Sequence, residues 1–214
     1  MEKDIWIAGI ARGHNSGVCL LKNGEIVFSV EEERLSRTKY DGGPYAGIVK
    51  ILDYTKKLDY LVIAHTQSLD ETAGKVDFSG DDVYTGLARK LGLIDNNASR
   101  WGAKHPQIVD MSNMHHKLHA AAAFYRSPFD NAVALIADGA GSVMPVSEPN
   151  SGMHLGLWEY ESIIDCSYPS VFKTLYKHLG CRDPLVGQKT ILEGEYFGEE
   201  GTYEAMITDR GGIT

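Results

Sequence analysis

His115 and His119 stand four residues apart in Met111-Ser-Asn-Met-His-His-Lys-Leu-His119, and Asp138-Gly-Ala-Gly141 begins nineteen residues further on. Imidazoles at i and i+4 of a helix project from the same face. Asp138 closes the apolar run Ala132-Val-Ala-Leu-Ile-Ala137, which reads as a buried strand. Two imidazoles and a carboxylate converging from a helix and a strand end suit a divalent metal or a phosphate–metal site. The competing reading is a half-buried, hydrogen-bonded histidine pair, because histidine is commonly intermediate in burial. The stretch is not the HExxH of zinc proteases, since position 116 is His rather than Glu. His116 is turned about 100° from His115 around the helix axis and reads as a neighbour rather than a third ligand.

Three further stretches carry candidate chemistry. Gly139 and Gly141 follow a predicted strand, where glycines let backbone N–H groups approach phosphate oxygens; a tight turn is the plain alternative. In Ala11-Arg-Gly-His-Asn-Ser-Gly17, Gly13 and Gly17 permit close approach of a ligand, and His14 or Ser16 would supply the chemistry. A hairpin turn without function fits that spacing equally well. Glu31-Glu-Glu-Arg-Leu-Ser-Arg37, with the basic cluster Arg34, Arg37 and Lys39, is either a solvated edge or an anion site.

The elements that must position these residues follow from pattern. Asn23-Gly24 between the apolar runs Ser16–Lys22 and Glu25–Val30 is a strong hairpin signal, because a type I′ turn needs positive φ at both centres. With Ile5–Ile10 this predicts a three-stranded antiparallel meander. Helical spacing follows over Tyr45–Leu58, a buried strand over Tyr60–Ala64, a helix over Asp82–Leu93 with Asp81 or Asp82 as its cap, and a short strand over Gln107–Asp110. Ser112 or Asn113 caps the histidine helix, Ala120–Ala123 favours it, and Pro128 ends it. The order β-β-β-α-β-α-β-α predicts an α/β domain with a mixed sheet. It resembles the ribonuclease H-like half of the actin–hexokinase architecture. The expected division is a first lobe over 1–130 and a second from 131 to 214. The second has strands over 132–137, 152–160 and 162–166, a loop over 141–152 and a helix over about 170–179. With a glycine-rich tail from Gly187, it reads as the start of a lobe, truncated before completion.

Composition excludes other classes. A net charge of −8 and a pI near 5.5 argue against a nucleic-acid partner. Cys19, Cys166 and Cys181 lie far apart, an odd count that fits reduced thiols in a cytoplasmic setting. No basic N-terminal region precedes a long apolar stretch, and no apolar run approaches the roughly 20 residues needed to cross a bilayer. No membrane partner is expected.

Four stretches together resemble the carbamoyltransferases of the nodulation and antibiotic-tailoring type, whose N-terminal domain is similar to the threonylcarbamoyl-transfer protein of tRNA modification. Gly13-His-Asn-Ser-Gly17 is similar to the family's G-H-D-S-A turn, with Asn15 at the usual Asp. Asn23-Gly-Glu25 through Glu32-Glu-Arg-Leu-Ser-Arg37 is similar to D-G-E…E-E-R-x-S-R. His115 through Phe129 is similar to H-H-x-x-H-A-x-S-A-F-x-x-S-P-F, with Asp138-Gly139 at the expected distance. Tyr168-Pro-Ser170 and Leu175-Tyr176…Leu179-Gly180 are similar to Y-P-x-S-x-G-x-L-Y…L-G, a helix in the family.

The resemblance implies O-carbamoyl transfer. An adenylate-forming domain or subunit, not in this chain, would make carbamoyl-adenylate from carbamoyl phosphate and ATP. This chain would bind that intermediate in a cleft beside an iron-type metal and pass the carbamoyl group to a hydroxyl of a small-molecule or nucleoside-type acceptor. His115, His119 and Asp138 would be the metal ligands and His14 the base for the acceptor hydroxyl. Gly13, Asn15, Ser16, Gly139, Arg37 and Lys39 would contact substrate or nucleotide. Two alternatives stay open: an inactive metal- or nucleotide-binding module of the same fold, and a metal-dependent hydrolase.

Overall fold

The computed structural model describes residues 3–12, 16–65, 83–100, 103–111, 114–138, 141–145 and 156–181. The chain divides into two compact units, Met1–Ser112 and Asn113–Thr214.

The first unit is built on a five-stranded mixed sheet of order β3-β2-β1-β4-β5. Its strands are β1 (Trp6–Arg12), β2 (Gly17–Lys22), β3 (Glu25–Glu31), β4 (Tyr60–His65) and β5 (Ile108–Asp110). Lys22 pairs with Glu25, so the β2–β3 loop is Asn23-Gly24 alone, with φ of 52° and 88°. That is the hairpin the Asn-Gly dipeptide predicts. β1 and β4 run parallel, from Ile7 opposite Tyr60 to Arg12 opposite His65. Parallel neighbours need a crossover, and part of it is helical.

Alternate residues of these strands are buried: Ala8 and Ile10, Val18 and Leu20, Leu61 and Ile63. They pack with Ile48, Ile51, Ala88 and Leu93 into one core, as a period of two on a half-covered sheet requires. The predicted helix over 45–58 is shorter than its pattern. It comprises α2 (Tyr45–Lys50), after the short α1 (Glu32–Ser36), and a 3-10 turn over Ile51–Asp53. After Tyr54 and Thr55, whose N–H groups still bond Ile51 O, the amides turn to partners outside the helix. Leu58 N–H bonds Leu93 O at 2.7 Å and Asp59 N–H bonds Trp6 O at 2.8 Å. α3 (Thr85–Lys90) is likewise trimmed, with Gly92 at φ 72° just past its end. Its predicted caps, Asp81 and Asp82, lie outside the described residues.

The second unit holds α4 (His115–Phe124) and a four-stranded antiparallel sheet of β6 (Asn131–Ala137), β7 (Val143–Pro145), β8 (Gly156–Ser167) and β9 (Val171–Cys181). β8 pairs with β7 near its start and with β6 from Glu161 to Ser167, while β9 pairs along its length. Ala120 and Phe124 of α4 pack with Ile136, Ile164 and Cys166 of this sheet. The histidine helix therefore clusters with the second unit, and the division falls at 112/113 where the sequence places it at 130/131.

Two expectations about this sheet are corrected. The segment expected as a helix over about 170–179 is the strand β9. Its residues 171–175 alternate exposed and half-buried, and Phe172 meets Phe124 and Tyr125 with ring centroids 5.8 and 5.6 Å apart. Val171, Phe172, Thr174 and Tyr176 are residue types that fit a pleated, half-covered surface. The two strands expected over 152–160 and 162–166 are one, β8, whose register shifts between Glu159 and Glu161 absorb the break in pattern. β7 also lies in a stretch that reads as loop.

Candidate metal centre

α4 forms because four consecutive alanines and no glycine or proline follow its histidines. His115 and His119 are one turn apart on it, and their rings lie 4.6 Å centroid to centroid. β6 ends at Ala137 and leaves Asp138 at the strand terminus, where its N–H is held by Tyr160 O at 2.9 Å. With its backbone fixed to β8, the Asp138 carboxylate turns toward the helix. Asp138 Oδ2 lies 2.7 Å from His115 Nε2 and 3.5 Å from His119 Nε2. The two Nε2 atoms are themselves 2.7 Å apart. The three residues that the sequence marks as ligands thus meet at one point.

Protons alone satisfy this cluster poorly. Each ring nitrogen carries at most one hydrogen, so His115 Nε2 cannot donate to both neighbours at once. Asp138 Oδ2 is buried, and the two ring nitrogens that face it also face one another. Three ligand atoms on one cation with bonds of about 2.0–2.2 Å would sit roughly 3 Å apart, close to the spacing seen. Burial alone would raise the Asp138 carboxyl, but hydrogen bonds and charge from His115 and His119 outweigh it and hold the group well below the usual carboxylate range. An ionised carboxylate with two imidazoles is a donor set for iron, zinc or manganese. Beside it opens a cleft of about 510 Å³ lined by His119, Ala123 and Ala134 through Asp138.

His116 faces elsewhere, as helix geometry predicts. The residue is 1% exposed, and its Nδ1 lies 2.7 Å from Ser162 Oγ. Burial, opposed by nearby Glu159, pushes its pKa down to about 4, so the ring is neutral at physiological pH. Gly141 sits against this ring: a Cβ there would lie 2.7 Å from His116 Nε2 and 2.8 Å from Glu159 Cβ. Glycine here serves close packing, whatever its use toward a ligand.

The remaining candidates are distributed as follows. Ser16 is buried in the first unit, where its Oγ and its N–H both donate to Asp41 O at 3.0 and 2.9 Å. Arg12 Nε donates to Gly42 O at 2.9 Å, so both flanks of the first turn are tied to the 41–42 loop. Arg37 caps α1 in the left-handed region at φ 63° and is exposed. Lys39 is exposed, with Nζ 4.9 Å from the Tyr40 ring centroid. Both belong to the first unit, and His115, His119 and Asp138 belong to the second. Gly13, His14, Asn15 and Gly139 lie outside the described residues.

Sequence reasoning missed the polar layer behind the triad. Glu159, 2% exposed, accepts a hydrogen bond from Ser142 N–H at 3.0 Å through Oε2 and pairs with Lys177 through Oε1. Burial alone would raise its carboxyl, but Lys177 and the Ser142 N–H outweigh it and lower the group. The signal was Trp158-Glu-Tyr-Glu-Ser162, two acids inside a strand with no turn residue between them.

Two relatives cover the same share of the chain. An uncharacterized protein of Synechocystis sp. is 31% identical over 151 residues, 60% of this chain and 24% of the relative. The nodulation protein NolNO of Sinorhizobium fredii is 28% identical over 138 residues, 60% of this chain and 20% of the relative. The chain thus spans about a quarter or less of the length of the curated relatives it matches, and its homology to the nodulation protein is distant and partial. No family model matches the chain, and no solved structure does.

Proposed function

We propose that this chain is the carbamoyl-transfer part of an O-carbamoyltransferase. The observation that carries the reading is the convergence of His115 Nε2, His119 Nε2 and Asp138 Oδ2 within 2.7–3.5 Å in a chain distantly homologous to a nodulation protein. The first unit's sheet order, an antiparallel meander with two parallel strands on the far edge of β1, supports the actin-like architecture that goes with it.

His115, His119 and Asp138 would hold an iron-type divalent metal. When bound, that metal would act as a Lewis acid on phosphate or hydroxyl oxygens and stabilise charge developing there. The side chains have separable tasks. Asp138, kept ionised by the two imidazoles, supplies the negative charge of the site. His115 is fixed by its place at the start of α4, while the more exposed His119 borders the cleft. The acceptor hydroxyl oxygen would attack the carbamoyl carbon of carbamoyl-adenylate. The new C–O bond would form as the carbon–phosphate-oxygen bond breaks, AMP would leave, and a general base would take the hydroxyl proton, the role that the resemblance gives to His14, which lies outside the described residues. The adenylate would be made from carbamoyl phosphate and ATP by a domain or subunit outside residues 1–214.

Elemental analysis of the purified chain and its His115→Ala and Asp138→Asn variants tests the site. One equivalent of metal in the parent, absent from both variants, is expected; a metal-free parent after incubation with Fe²⁺ sinks it. Transfer is tested by supplying carbamoyl-adenylate, directly or through a partner domain. Metal retention without adenylate binding would reassign the chain as an inactive binding module.

A further inference from the structure

We propose that Ser142 and Glu159 are positioning residues that set the distance between His115 and Asp138, an inference that rests on the metal reading above. The two ligands come from different elements, and something must fix one against the other. Three backbone bonds tie the stretch after β6 to β8: Asp138 N–H to Tyr160 O at 2.9 Å, Gly141 N–H to Glu159 O at 2.7 Å, and Glu159 N–H to Ser142 O at 3.1 Å. These hold Asp138 and Ser142 on one frame. Ser142 Oγ then accepts the N–H of His115 at 3.2 Å. That N–H is a first-turn helix donor with no partner inside its own helix, so Ser142 ties the start of α4 to the carboxylate's strand.

Glu159 completes the connection. Its Oε2 takes the Ser142 N–H, and its Oε1 is held by Lys177 of β9. Ser142 and Glu159 are each 2% exposed, so water cannot replace a lost partner without rearrangement. The path runs Lys177, Glu159, Ser142, His115, and none of the first three touches the metal position. Removal of groups that orient ligands typically weakens metal binding by about 10–100-fold.

The test uses the full chain with Co²⁺ as the probe, read by its visible absorption and by competition with a chelator, with circular dichroism to verify folding. Ser142→Ala deletes only the acceptor of the His115 N–H. Glu159→Gln keeps shape and an acceptor for Ser142 but loses the charge that holds Lys177. Ile164→Val trims the same unit's core away from the path and serves as the control for general destabilisation. Both path variants are expected to weaken Co²⁺ binding about tenfold or more and to alter its spectrum, with Ile164→Val binding as the parent does. Parent-like affinity and spectrum in both path variants would overturn the inference while leaving the metal site standing. A parent that does not bind Co²⁺ would overturn both. Should Ser142→Ala lose its folded spectrum, Glu159→Gln carries the decision.

Discussion

His115 and His116 are adjacent in the chain, yet their rings meet different surroundings. One reaches Asp138 and His119; the other is sealed against Ser162 and Gly141. The 100° step of the helix accounts for the split. Glu161 shows what a buried group without a full partner does. It is fully buried, with His178 Nδ1 at 3.7 Å and no hydrogen bond among the described residues. Burial pushes its carboxyl up from the ordinary value of 4.5, with His178 opposing. The folded state therefore binds the proton more tightly than the unfolded chain does, and the stability it contributes is present below the ordinary carboxylate pKa and lost as pH rises through the raised one. Glu161→Gln is expected to raise the melting temperature at pH 7 and to converge with the parent near pH 4. A variant less stable than the parent at pH 7 would show that the carboxylate is paired.

At the scale of elements, a charge run became a cap. Glu31–Arg37 reads as a solvated edge or an anion site, but its second glutamate is 3% exposed and points inward. Glu32 accepts the N–H groups of Ala46 and Gly47 at 2.7 and 2.9 Å, the opening donors of α2. A Cβ on Gly47 would lie 2.8 Å from Val18 and 3.2 Å from that carboxylate, so the helix approaches β2 only because residue 47 is glycine. Glu32→Ala leaves two donors unmet where water has little access. It is expected to cost about 1–3 kcal/mol, measured by chemical denaturation. A loss below about 0.5 kcal/mol, the size of an ordinary surface change, would show that the cap is dispensable. The second unit's helix is held differently, by Ala120 and Phe124 against the sheet.

For the whole molecule, the proposed metal reading ties metal binding to stability. A ligand that binds only the folded form stabilises it by about 2.7 kcal/mol at one hundred times its dissociation constant. Hydrogen exchange read by mass spectrometry should show metal-induced protection in α4, the end of β6 and β8, since these carry the proposed ligands and their supports. Protection confined to the first unit would contradict the assignment. No helix among the described residues is long and apolar enough to cross a membrane.

Local chemistry was readable from residues alone. The Asn23-Gly24 turn needs positive φ, the alternation of β1, β2 and β4 needs one covered face, and the i, i+4 histidines must share a side of any helix that holds them. Those constraints act over a few residues, so the chain states them directly. The fate of Val171–Cys181 was not readable, because its β-branched and aromatic residues adopt a strand here only by pairing with β8 and packing on Phe124. Nor were the roles of Glu32, Ser142 and Glu159, whose partners lie 14 to 27 positions away. A hydrogen bond across that separation exists only once the sheet and helix have met, which is why tertiary structure alone decided what holds His115 against Asp138.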